Sequence, residues 1–259
     1  AAGWLDQVAR ARTLLARAVS EQAVLQFGGA AGTLASLGDA APQLARALAG
    51  ALGLPAPATS WHGARDRVAR IGAELAMVCG AAARIGRDVS LLMQPEVGEA
   101  FEPAGEGRGG SSAMPHKRNP VGAMLALEAA FRAPALAGTL LAELVSEHER
   151  GLGSWQNASF VLADLFEAAG SAVEAMIEVV AGLRVDPARM RENLDRTGGF
   201  VFAEAVTIEL AGALGRPAAA ALVERICNRA IDTGTPLREA LEADPEAAAA
   251  LAPGTLDAL

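Results

Sequence analysis

The feature that most constrains this chain is the length of its helical blocks. Apolar residues recur three and four positions apart over long stretches, and strand-like alternation is nowhere sustained. Val68, Ile71, Leu75, Val78, Ala82 and Ile85 share one face of a block that Ser60 opens as its N-cap and that runs past Gly86 to Leu92. Val121 to Val145 and Ala158 to Leu183 read as two more long helices. The usual helix has roughly 11–12 residues. Blocks this long predict an all-α fold built on a long-helix bundle.

Composition supports that reading. About half of the chain is apolar (52%), but aromatics are only 4% and Tyr is absent, so Ala, Leu, Val and Gly form the core. Small side chains let helices approach closely, and Ala has the highest helix propensity because no side-chain entropy is lost. Turn signals separate the blocks. Gln26-Phe27-Gly28-Gly29 ends the first, and Gly53-Leu54-Pro55-Ala56-Pro57 closes a helix over Pro42 to Leu52. The chain opens Ala1-Ala2-Gly3-Trp4 and runs directly into Leu5, Val8, Leu14, Leu15 and Val19 at helical spacing, as though entered part-way through a long helix.

From Asp186 the pattern shortens. Asp186 caps and Pro187 takes the first helical position, and segments over Pro187 to Leu194, Ala203 to Leu214, Pro217 to Asp232 and Pro236 to Glu242 follow. This predicts a bundle domain over 1–183 and a small C-terminal helical domain over 184–259.

Charge narrows the partners. A net charge of −8 disfavours nucleic acid and anionic membranes. The apolar runs are interrupted by Glu143, Glu167 and Glu174, so no membrane span is expected. The two cysteines, Cys79 and Cys227, fit reduced cytoplasmic thiols better than a disulfide framework. Cys79, on an apolar face, reads as inert core.

One polar, glycine-rich segment, from Pro95 to Pro120, is too long for an ordinary connector. Its end reads Gly109-Gly110-Ser111-Ser112-Ala113-Met114-Pro115-His116-Lys117-Arg118-Asn119-Pro120. Small residues form a hinge, two hydroxyls follow, and Lys117 and Arg118 bring positive charge. Asn119 as cap and Pro120 as first residue would launch the helix at Val121. Free N–H groups at a helix start favour an anion. Such a segment suits a lid closing over a carboxylate substrate; the alternative is a solvated surface loop.

This segment is similar to the signature loop of the fumarase/aspartase superfamily, Gly-Ser-Ser-x-Met-Pro-x-Lys-x-Asn-Pro, and fills every fixed position. His116 and Arg118 give the form found in its adenylosuccinate lyases and muconate cycloisomerases. Further stretches resemble the cycloisomerase branch: Leu25 to Leu34, Trp61-His62 with Arg65-Asp66, Gly86 to Leu92, Glu147 to Arg150 with Gly153 and Trp155, and Glu192 to Val206. The resemblance implies a long-helix bundle shared by four subunits and a small di- or tricarboxylate substrate, with neither metal nor organic cofactor. It implies Ser111 as the residue exchanging a proton with carbon, Ser112 beside it, and Lys117 and Asn119 as holders of the substrate carboxylate. Met114 would line the site, and Arg150 matches a substrate-anion position. The chemistry implied passes through an aci-carboxylate: a substrate carboxylate adds across a diene to close a lactone. An adenylosuccinate-lyase-like elimination from a succinyl substrate, or a non-catalytic helical assembly piece, are the other readings.

Two departures accompany the resemblance. The superfamily's N-terminal domain, with its active-site histidine, is expected upstream of Ala1. Ala158 stands near where a carboxylate is expected after Trp155. Among the histidines, His62 reads as packing at a helix start and His116 as shaping the loop. His148, between Glu147 and Glu149, reads as a solvated helix end or as a group orienting Glu149 or Arg150. Gly28 to Thr33 superficially resembles a nucleotide loop, but no strand precedes it, so it reads as a bend.

Overall fold

The computed structural model describes residues 1–105, 109–110, 114 and 117–258, and the chain divides into two compact units, Ala1–Val185 and Asp186–Leu259. The first unit contains α1 (Ala2–Gln22), α2 (Ala41–Leu52), α3 (Asp66–Leu92), β1 (Ala100–Phe101), α4 (Val121–Ala142), α5 (Ser154–Ala181) and β2 (Arg184–Val185). Helix α3 packs on α1, α4 and α5, and α4 packs on α5.

Alanine sets the spacing of these helices. On α4 the buried residues Ala123, Ala126, Ala129, Ala133, Ala137 and Leu140 fall three or four apart and hence form one stripe, with Gly122 buried beside its start. That stripe faces residues of α3 and α5 such as Cys79, Ile85, Val89, Leu165, Ala172 and Val179. Gly72 of α3 shows how close the contact is. A Cβ there would lie 2.4 Å from Leu140 Cδ1 and 3.3 Å from Leu165 Cδ1. Each fully buried Leu or Val adds about 1.5–3 kcal/mol of apolar transfer energy; Leu140, Leu165, Val89 and Val179 all qualify. Burial pushes the Cys79 thiol above its ordinary pKa, consistent with an inert core thiol. By length and composition α4 is apolar enough to cross a membrane. Its alanine face is buried in this bundle, however, while Met124, Leu125, Phe131 and Leu141 remain exposed on its outer side.

Two local readings of the sequence need correction. Helix α3 begins at Asp66, with Arg65 as its N-cap residue and no side-chain cap bond. Ser60 caps nothing; its hydroxyl turns to a distant carboxylate described below. A short antiparallel pairing also exists, Ala100 opposite Val185 and Phe101 opposite Arg184. Two residues per strand are too few to display a period of two, so no alternation marks this pairing in the sequence.

The second unit is α6 (Pro187–Asp195), α7 (Ala203–Leu214), α8 (Arg216–Thr233), α9 (Leu237–Glu242), α10 (Pro245–Ala250) and α11 (Thr255–Ala258). As expected from the Asp-Pro signal, the Asp186 carboxylate accepts a bond from the Arg189 N–H at 2.9 Å. Leu210, Leu222, Ile226, Leu237 and Leu241 form its core.

Candidate functional site

Helix α4 starts immediately after the glycine-rich segment, and its first turn must find acceptors for free N–H groups. The side chain that supplies them is Glu102, just after β1. Its carboxylate, 5% exposed, accepts from the N–H of Gly122 at 2.9 Å and of Ala123 at 2.7 Å. Pro120 occupies the N-cap position and makes no side-chain bond. The expectation that Asn119 caps α4 and leaves its positive end free for a substrate anion is therefore corrected. That end is already filled by Glu102, twenty residues back in the chain. No local capping pattern reaches so far, so the sequence held no signal for it.

The end of the segment is tied back on itself. The Asn119 N–H donates to Gly109 O at 2.8 Å, the Asn119 side-chain amide donates to Gly110 O at 3.5 Å, and the Lys117 N–H donates to Met114 O at 3.0 Å. Asn119 is half-buried; Met114, Lys117 and Arg118 are exposed. These contacts tie the backbone of Lys117 and Asn119 to the glycine-rich segment just before α4. Ser111, Ser112 and His116 lie outside the described residues.

Arg150 is not beside them. It follows the C-terminal end of α4, whose 22 residues span about 33 Å at 1.5 Å per residue. At that end three loops converge: the bend after α1, the segment before α3, and the connection from α4 to α5. Arg150 Nη2 donates to the Ala30 carbonyl at 3.0 Å, and its guanidinium lies 5.4 Å from the Trp155 ring centroid. The His62 ring packs edge-on to the same tryptophan.

Glu149 joins these loops. His62 Nδ1 is 3.0 Å from Glu149 Oε1, and the Ser60 hydroxyl donates to the same oxygen. His62 is buried, its side chain only 8% exposed, against 28% for Glu149. Gly32, at φ +80°, passes directly over the carboxylate, and a Cβ there would fall 2.5 Å from Glu149 Cδ. His148 itself adopts a left-handed conformation at φ +52°, unusual for a residue with a side chain and a frequent sign of a constrained functional loop. The packing reading of His62 holds in part, since the residue is buried. Its bond to Glu149, 87 positions later, and the role of Ser60 were not legible, because loop-to-loop polar contacts have no sequence period.

Two further charged side chains are buried at this end. Arg65 and Glu143, each 6% exposed, sit at the N-cap of α3 and the C-cap of α4. Asn157 Nδ2 donates to Glu143 Oε1 at 2.8 Å. Among the described residues, Arg65 Nε and Nη1 and Glu143 Oε2 have no hydrogen-bond partner. Burial draws the Arg65 guanidinium below its ordinary pKa, and the nearby Glu143 charge opposes that. Among the described residues, no three His, Cys, Asp or Glu side chains gather as a metal centre requires.

Comparison with known proteins matches residues 1–135 to a family described as "Lyase" and residues 199–259 to "Adenylosuccinate lyase C-terminus". The chain is 49% identical over its whole length to a 3-carboxy-cis,cis-muconate cycloisomerase of Bradyrhizobium diazoefficiens, covering 57% of that protein. It is 42% identical to a nitrosuccinate lyase of Streptomyces davaonensis, covering 56% of it. Among solved structures, the 3-carboxy-cis,cis-muconate lactonizing enzyme of Pseudomonas putida superposes on 99% of the chain with a TM-score of 0.90 at 44% identity; 56% of that enzyme is covered. The chain thus spans a little over half the length of these relatives.

Proposed function

Because this chain belongs to the lyase family of the fumarase/aspartase superfamily, we propose that it is the larger part of a cycloisomerase converting 3-carboxy-cis,cis-muconate to 4-carboxymuconolactone. The observation that carries this reading is the Gly109–Pro120 segment, filled at every fixed position of the signature, on a chain 49% identical to such a cycloisomerase over its full length. In the reaction, a substrate carboxylate oxygen bonds to a diene carbon. The displaced electron pair moves to the adjacent carbon and its carboxylate, making an aci-carboxylate, and a proton then joins that carbon. Lys117 and Asn119 hold the carboxylate on which charge accumulates, and preorganised donors of this kind are the largest single source of such stabilisation. Ser111 exchanges the proton with carbon, Ser112 stands beside it, and Met114 lines the site.

Arg150 binds a second carboxylate. The separation of about 33 Å along α4 means that one chain cannot bring its own Lys117 and Arg150 to one small substrate. Copies packed antiparallel would place the loop of one against the Arg150 end of another. The exposed Met77, Met124, Phe131, Phe160 and Ile177 supply an apolar outer surface for that assembly. We read the protein as a cytoplasmic homotetramer with shared active sites.

The test uses the natural polypeptide that contains these residues, assayed by loss of the ultraviolet absorbance of 3-carboxy-cis,cis-muconate. Ser111→Ala should lower kcat by roughly 10²–10⁴-fold, the range for a missing proton-transfer group, with unchanged circular dichroism. A wild-type rate in that variant removes Ser111 from the mechanism. No turnover of the muconate by the wild type, with turnover of nitrosuccinate or adenylosuccinate, replaces the cycloisomerase by an eliminating lyase.

A further inference from the structure

Arg150 is flanked in sequence by Glu147, His148 and Glu149, so the nearest negative charges belong to its own loop. An arginine beside a free glutamate is a poor receptor for a substrate carboxylate, because the two anions compete for one guanidinium. Yet among the described residues Arg150 forms no ion pair. Its recorded partners are the Ala30 carbonyl and the Trp155 ring, which leave most of its donors open. The Glu149 carboxylate is turned the other way. One of its oxygens takes both the Ser60 hydroxyl and His62 Nδ1, and Gly32 closes over it without a side chain.

We propose that Ser60 and His62 are positioning residues that sequester the Glu149 carboxylate, so that Arg150 keeps its charge for a substrate carboxylate. This deepens, and rests on, the reading of Arg150 as the anion-binding pole. The geometry fits sequestration better than simple loop pinning. Pinning would be served equally by a Glu149–Arg150 pair or by backbone bonds. Here two donors from the segment before α3 converge on a single oxygen, while the arginine is held apart by a ring face and a carbonyl. The left-handed His148 between Glu147 and Glu149 reverses the chain locally, which lets neighbouring side chains 149 and 150 leave the loop toward different partners. The ligand class follows from the exposed cation: an anionic, carboxylate-bearing small molecule.

The experiment compares Ser60→Ala and His62→Leu in the natural polypeptide, each alone and combined with Glu149→Gln. Steady-state kinetics are followed on whichever carboxylate substrate the wild type turns over. The single variants release Glu149 toward Arg150, and KM rises roughly two- to fivefold, the scale of one partly exposed ion pair, while kcat is retained. Adding Glu149→Gln removes the competing charge and returns KM toward the wild-type value. A merely structural cluster behaves otherwise, since the second substitution would then deepen the defect. Failure of Glu149→Gln to restore KM in either background overturns the proposal. Ser60→Ala removes one small hydroxyl and keeps the test valid if His62→Leu does not fold. Arg150→Met separates the two levels of the argument. An unchanged KM in that variant overturns the anion-pole reading and this inference with it. A raised KM combined with failed restoration overturns this inference alone.

Discussion

Replacing Glu102 by Ala tests the most unexpected contact in the bundle. The carboxylate is 5% exposed and accepts two N–H bonds, at 2.9 and 2.7 Å, from the first turn of α4. Hydrogen bonds to a charged acceptor are each worth about 1.5–3 kcal/mol. The helix dipole favours a negative charge here by up to about 2 kcal/mol in partly buried geometry. Against these stands the cost of burying the carboxylate itself, several kcal/mol before compensation. Glu102→Ala removes the charge together with its desolvation cost, but leaves two N–H groups unsatisfied. The net loss should be about 3 kcal/mol. Glu102→Gln keeps one acceptor and turns its amide N–H₂ toward the other donor, so about half of that loss is expected, on the scale of a missing N-cap. The assay is urea unfolding followed by tryptophan fluorescence. All three tryptophans, Trp4, Trp61 and Trp155, lie in the first unit, so the signal reports the bundle alone. Protein concentration must be held constant, because association stabilises the folded chain by mass action. Amide exchange at Gly122 and Ala123 gives a local check. If Glu102→Ala lies within about 0.5 kcal/mol of wild type, with those amides still protected, the capping argument is wrong.

Other outcomes follow from particular contacts. Gly72→Ala should destabilise the bundle by about 1–3 kcal/mol through overpacking, since its Cβ would meet Leu140 Cδ1 at 2.4 Å. Gly50→Ala, inside α2, meets nothing within 4 Å and should stabilise by about 0.5–1 kcal/mol; equal effects in urea unfolding would refute the comparison. In the second unit, burial pushes the Asp244 carboxyl up, but the Ala247 N–H, the Arg229 guanidinium and the Glu246 N–H together hold it below its ordinary pKa. A depressed native pKa stabilises above the unfolded value, about 4, and that contribution is lost as pH falls through the lower native value. Amide exchange in α8 and α10 should therefore show Asp244→Asn clearly destabilised at pH 7 and converging on wild type near the acid limit. A gap that stays constant on acidification would contradict this.

The amino-acid sequence by itself determined the architecture, because the relevant forces repeat along the chain. Apolar residues at three- and four-residue spacing specify long helices, and alanine at those positions specifies their close approach, as the α4 stripe from Ala123 to Ala137 illustrates. Asp186 followed by Pro187 specified a helix start because its cap lies within three residues. The signature segment was equally legible, being contiguous. Tertiary structure alone decided the contacts between residues with no fixed separation. Glu102 takes the N-terminus of α4 from twenty positions away, and Ser60 and His62 reach Glu149 across 89 and 87 positions. Only folding could show that Lys117 and Arg150, grouped by motif, stand at opposite ends of one helix. Separation along a chain sets no distance in space; the rigid rise of α4 does.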